Sequence, residues 1–257
     1  MRDFLEVLHE DAAKDPEQRA RELSRRELPK RFYEKATYAE IDCGFAIHLD
    51  GRPVKTPGKT TLMLPGEALG AAVAAEWNAQ EKVINPATMP LTRIANSAQD
   101  AVSVRFDEVA DDITRFAGND ALCYRADDPE SLIETQRQLW DPVVDWAGDL
   151  LGGRFVLIEG LIHAAQPDSL LTAFRNRVGK ETPLRLAALH TITSLTGSAL
   201  LALALLEERL DADSVWKAAH VEEDFNIERW GEDAEAAQIR AYKRTEFDAA
   251  VLILREG

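Results

Sequence analysis

The chain has 257 residues, with 45 Asp and Glu against 30 Lys and Arg, a formal net charge of -15 and a sequence pI near 4.8. The length supports one large domain or two unequal ones. The charge argues against nucleic acid and anionic membranes, because phosphate would repel such a surface; a basic or apolar protein surface suits it better. Its two cysteines, Cys43 and Cys123, lie far apart without metal-ligand spacing and point to a reducing compartment.

Residues 1–30 are polar and charge-rich, with Pro16 at a helix start, and read as a surface helix or arm. The first residues mix Arg2 with Asp3, Glu6, Glu10 and Asp11. A mitochondrial presequence would be Arg-rich and poor in acids, so a bacterial cytoplasmic protein is expected. Phe45, Ile47 and Leu49 alternate with Ala46 and His48, and Asp50-Gly51 then supplies a hairpin signal. A second strand around Val54 and a third at Thr60 to Leu64 complete a small antiparallel sheet, with Pro57-Gly58 between them.

From Gly66 the period becomes helical, with Leu69, Val73 and Trp77 on one face. The next helix shows a stripe of Val102, Phe106, Val109, Ile113 and Phe116. Asp128 is expected to cap a further helix, with Pro129 at its first position, the stripe Leu132, Gln136, Leu139, Val143 and Ala147, and a kink or break at Pro142. Phe155 to Ile158 reads as an edge strand or extended connection, and Pro167-Asp168 opens another helix. A continuous buried helix is expected from about Thr182 to Glu208, followed by helices from Asp213 to Arg229 and from Glu232 to Leu254. The run Thr191 to Leu206 is uncharged but short and interrupted by Thr193, Ser194, Thr196, Gly197 and Ser198, which excludes it as a membrane span. The expected fold class is α+β: a small antiparallel β-rich N-terminal module with its charged arm, residues 1–92, then a larger α-helical domain, residues 93–257.

Three constellations suggest chemistry and fail on spacing. Gly58-Lys59-Thr60 resembles the end of a phosphate-binding loop, but Pro53 stands where the first glycine belongs and a strand follows instead of a helix. Asp224, Asn226, Glu228, Glu232 and Glu235 are spaced like a calcium loop, yet Arg229 occupies the position that requires glycine. His9, His48, His163, His190 and His220 are dispersed, so spacing proposes no catalytic or metal site. Of the five tryptophans, Trp77, Trp140 and Trp146 lie on or beside apolar stripes. Trp230 instead follows a charged helix end and sits among Glu222, Glu223, Asp224, Glu228, Glu232, Asp233 and Glu235. An aromatic in an acidic rim is the pattern of a protein-binding anchor, and equally of a helix-turn staple.

From Lys30 onward a series of motifs stands in a specific order: Lys30-Arg31-Phe32-Tyr33, Asp50-Gly51-Arg52-Pro53-Val54-Lys55-Thr56-Pro57, Leu64-Pro65, Glu76-Trp77, Met89-Pro90-Leu91-Thr92, Cys123-Tyr124-Arg125, Trp140-Asp141-Pro142 and Trp230-Gly231. The series resembles the assembly chaperones that hold the α-subunit of the F-type ATP synthase catalytic sector. The resemblance implies an ATP-independent chaperone, not an enzyme, with no cofactor, metal or nucleotide and the unassembled α-subunit as partner. It also implies a mitochondrial-matrix location for eukaryotic relatives. The partner-binding residues expected are Glu222, Glu223, Trp230, Gly231, Glu232, Asp233 and Glu235, where acid, aromatic and motif coincide, with no nearby run of Lys or Arg to offset the charge. The competing readings are a carboxylate-based small-molecule or metal-dependent enzyme, and a regulator of the assembled synthase.

Overall fold

The computed structural model describes residues 28–41, 44–160 and 164–257. The arm with Pro16, and Cys43, His9 and His163, lie outside the described residues. The chain divides into two compact units, one running to Arg105 and joined by Arg255–Gly257, the other Phe106–Leu254. Residues 92 and 93, the boundary expected from sequence, lie within the helix Pro90–Ser97.

In the first unit β1 (Ala36–Ile41) pairs antiparallel with β2 (Gly44–Leu49), from Ala36 opposite Leu49 to Ile41 opposite Gly44. The other edge of β2 takes β3 (Arg52–Pro53) and β4 (Met63–Leu64). Asp50 and Gly51 join β2 to β3 with φ of 47° and 81°, the left-handed pair that a two-residue hairpin needs. The strand expected from Thr60 contracts to β4 because the preceding turn is tied elsewhere. Asp100 accepts the Gly58 N–H at 2.6 Å and the Thr56 hydroxyl at 2.6 Å, and Lys55 bridges Thr61. Helix α1 (Glu67–Asn78) packs on β1 and β2 through Leu69, Gly70, Val73 and Ala74. Gly70 permits this approach, since a Cβ there would stand 3.1 Å from Phe45 Cβ. Helix α2 (Pro90–Ser97) continues into a π-helical turn, Ala98–Val102.

The second unit is helical. The stripe expected to begin at Val102 starts later, because a turn at Ser103 and Val104 separates it from α3 (Phe106–Gly118). Val109, Ala110, Ile113 and Ala117 form the buried face of α3, while Phe106 and Phe116 are only half-buried. Helix α4 (Glu130–Leu151) starts after Pro129, whose side chain makes no cap, so the expected Asp128 cap is absent. It runs unbroken through Pro142, contrary to expectation: the ring is exposed, where the bond it cannot donate to Gln138 costs least. Trp140 replaces Leu139 in the buried stripe, donating from Nε1 to the Ala218 carbonyl at 2.8 Å.

Strands β5 (Tyr124–Arg125) and β6 (Ile158–Glu159) pair in parallel, which settles residues 155–158 as extended chain. The Gln166 amide holds this segment by accepting from Val156 N at 2.8 Å and donating to Val156 O at 2.9 Å. Helix α5 is Asp168–Val178. The continuous helix expected from Thr182 to Glu208 is two helices, α6 (Pro183–Thr196) and α7 (Ala199–Leu206). Gly197 turns left-handed at φ 68°, and Ser198 Oγ caps α7 by accepting from Leu201 N at 3.0 Å. Helix α7 is the centre of the unit, with Ala199 to Ala204 fully buried against α3, α4, α6 and α8 (Ala212–Ala219). The helix expected from Asp213 to Arg229 likewise divides at His220 into α8 and α9 (Val221–Trp230), and α10 is Ala234–Glu256. No helix among the described residues is long and apolar enough to cross a membrane.

Candidate functional site

Most of the motif side chains hold the fold together. The Arg31 guanidinium donates to the carbonyls of Tyr33, Asn78, Gln80 and Glu34 and stacks 4.7 Å from the Tyr33 ring centre. The Tyr33 hydroxyl donates to Trp77 O at 2.7 Å, so Lys30-Arg31-Phe32-Tyr33 clamps the end of α1. Asp50 accepts from Glu34 N and Lys35 N, donors that hold its carboxyl below the usual carboxylate range. Glu76 caps α2 at Leu91 and Thr92. In the second unit Arg125 bonds Leu122 O and Asp141 Oδ1, at 2.8 and 2.6 Å, and lies over Trp140.

Two aromatic members of the motif series are not absorbed in this way: Phe32 is 74% and Trp230 76% exposed. Trp140 and Trp216 are buried, and Trp77 and Trp146 are half-buried. Trp230 is the last residue of α9, and Gly231, at φ 87°, ends the helix by donating to Ile227 O at 2.9 Å. Asp233 Oδ1 then accepts from Glu235 N at 3.0 Å and Ala236 N at 2.9 Å, starting α10.

The seven residues expected at this corner therefore divide. Asp233 and Gly231 shape the turn. Glu222 reaches back to α4, where its Oε1 accepts from Gln136 Nε2 at 3.0 Å. Glu223 and its neighbour Asp224 face Arg240 of α10 at 3.9 and 2.6 Å. No run of Lys or Arg is expected nearby; a single cation from the next helix, Arg240, offsets part of the charge, a pairing that sequence spacing does not display. Arg229 stacks 4.3 Å from the Phe225 ring centre. Glu228, Glu232 and Glu235 are exposed, with no ion-pair partner among the described residues, and with Trp230 they form the outward-facing part of the corner.

Gly58-Lys59-Thr60 forms the turn bound by Asp100. Among the described residues no group of three or more His, Cys, Asp or Glu is arranged to hold a metal ion. Asp120 is fully buried and caps α7, accepting from Leu200 N at 2.9 Å; burial pushes its carboxyl up to about 6. The neighbouring Cys123 thiol is pushed up to about 12, chiefly by burial, which leaves it protonated and unreactive.

Comparison with known proteins places this architecture. The ATP12 chaperone protein family matches residues 30–148. The crystal structure of Atp12 from Paracoccus denitrificans is 39% identical, with 88% of this chain and 97% of that one covered and a TM-score of 0.80. The chain belongs to the ATP12 chaperone family. This is the ATP synthase assembly-factor family that the motif series resembles. A crystal structure from Agrobacterium tumefaciens is 46% identical, covering 100% of this ATP12-family chain and 97% of the other, with a TM-score of 0.85. The mitochondrial protein atp12 of Schizosaccharomyces pombe is 24% identical over 223 residues, covering 82% of this chain and 76% of its own. The negative charge of this ATP12-family member is concentrated in the helical unit. Residues 106–254 carry 28 Asp and Glu against 14 Lys and Arg, whereas residues 28–105 carry eight against nine.

Proposed function

We propose that this protein is a chaperone for assembly of the F-type ATP synthase catalytic sector that holds the unassembled α-subunit, masks its β-facing surface and yields when the β-subunit arrives. It works in the bacterial cytoplasm, as a binding protein and not an enzyme. An isolated subunit exposes an interface whose apolar area invites association with wrong partners, and an acidic, soluble holder prevents this. Release follows from a difference of affinities and requires no nucleotide. The observation that carries the reading is Trp230, 76% exposed beside Glu228, Glu232 and Glu235. A ring left in water by the fold is available to a partner's apolar pocket, and the surrounding carboxylates favour a basic rim on that partner.

The test mixes the purified protein with isolated α-subunit in the absence of nucleotide and resolves the mixture by size-exclusion chromatography. A complex is expected, and Trp230→Ala weakens it without changing the melting temperature. Failure to form a complex while the α-subunit stays soluble, or a strict requirement for ATP, overturns the proposal.

A further inference from the structure

Phe32 is a second aromatic that the fold leaves largely in water among the described residues. It is 74% exposed, although its neighbour Tyr33 is 5% exposed and lies edge-on at 5.5 Å between ring centres. The chain on both sides of Phe32 is fixed. Arg31 N–H donates to Lys82 O at 3.0 Å, and the Arg31 guanidinium donates to Tyr33 O at 3.0 Å and Glu34 O at 2.6 Å. Glu34 N and Lys35 N both donate to the Asp50 carboxylate, at 3.0 and 2.9 Å. Little backbone freedom remains to be lost when the ring meets a partner, which is the condition for an efficient anchor.

We infer that Phe32 is a second anchor for the client, seated in an apolar pocket of the unassembled α-subunit; the inference rests on the function proposed above. Three observations favour that occupant. Phe32 lies within residues 30–148, the part matched by the ATP12 family, where it is the aromatic most exposed to solvent. Arg31 and Tyr33 are explained by contacts within the fold, whereas Phe32, edge-on to Tyr33, stays 74% exposed. The exposed charges alongside it, Lys30, Lys35 and Lys82 against Glu34 and Glu81, nearly balance. A ring with such a rim fits an apolar surface and carries little electrostatic steering, in contrast to the acidic corner at Trp230. An unassembled subunit supplies such a surface at its vacant interface.

The experiment compares wild type, Phe32→Ala and Phe32→Leu for binding to isolated α-subunit at low and high salt, with melting temperatures measured alongside. Phe32→Ala should weaken binding by about tenfold or more, the scale of an aromatic hot spot, to the same extent at both salt concentrations, and Phe32→Leu should recover part of the loss. In parallel, p-benzoylphenylalanine introduced at position 32 should photo-crosslink to the α-subunit. If wild type forms no complex, the proposed function fails and this inference with it. If wild type binds, and Phe32→Ala binds equally well or the crosslink reaches only a second copy of this chain, the anchor alone is overturned.

Discussion

Glu76 caps a helix to which it does not belong: its carboxylate accepts from Thr92 N at 2.8 Å and the Thr92 hydroxyl at 2.7 Å, and from Leu91 N at 2.7 Å. Helix α2 begins at Pro90 after Met89, which has no capping side chain, so the acid from α1 satisfies two orphan donors and meets the positive end of the helix dipole. Burial raises the Glu76 carboxyl while those donors hold it down. Glu76→Ala is expected to cost about 1–3 kcal/mol, and Glu76→Gln less, because one acceptor oxygen remains. Urea unfolding of the two variants checks this, and equal costs would refute the capping role.

Gly51 tests the hairpin. At φ 81° nothing lies within 4 Å of the position a Cβ would occupy, so the cost of a side chain there is purely backbone strain. Gly51→Val should lower stability by about 1 kcal/mol or more, and Gly51→Asn by much less, since Asn tolerates the left-handed region. Client binding should survive both, once measured below their melting temperatures. A stable Gly51→Val that no longer binds would move the docking surface toward the hairpin.

Burial of the Asp120 carboxyl sets the sign of a pH dependence in the core. Its folded value of about 6 lies above the ordinary 3.8, so the folded state holds this proton more tightly and the contribution of Asp120 to stability falls as pH rises from about 4 to about 6. Asp120→Asn removes that component. The stability of wild type relative to the variant should therefore increase on acidification through this window and stay level above it. The variant should still be the less stable protein at neutral pH, because an amide has one acceptor oxygen for the donors of Leu122 and Leu200. Denaturant titrations at pH 4.5, 6 and 7.5 report the difference profile, and a flat profile would count against the assignment.

Glu235 separates binding from solubility at the acidic corner. Its side chain is exposed and only its backbone N–H takes part in the cap made by Asp233. Glu235→Lys should leave the melting temperature nearly unchanged while slowing association with the α-subunit. Added salt should narrow the gap, since exposed charges are screened over about 10 Å at 0.1 M. Identical, salt-independent association rates would show that these acids serve only to solvate the corner.

Local patterns were legible from sequence alone. Alternation at Phe45, Ile47 and Leu49 with Asp50-Gly51 specified the hairpin, and Leu69 and Val73 marked the buried face of α1, because side-chain direction repeats with backbone period. The ordered motifs were enough to indicate the family. Tertiary structure decided what periodicity does not encode: the breaks at Gly197 and His220, the passage of α4 through Pro142, and the partner of each polar side chain. Arg240 neutralises Asp224 across 16 residues, and Glu76 caps Thr92 from the preceding helix. Exposure follows the same rule. Phe32 and Trp230 are as apolar as Tyr33 and Trp140, and only the packing of distant segments leaves the first two rings in water and buries the others.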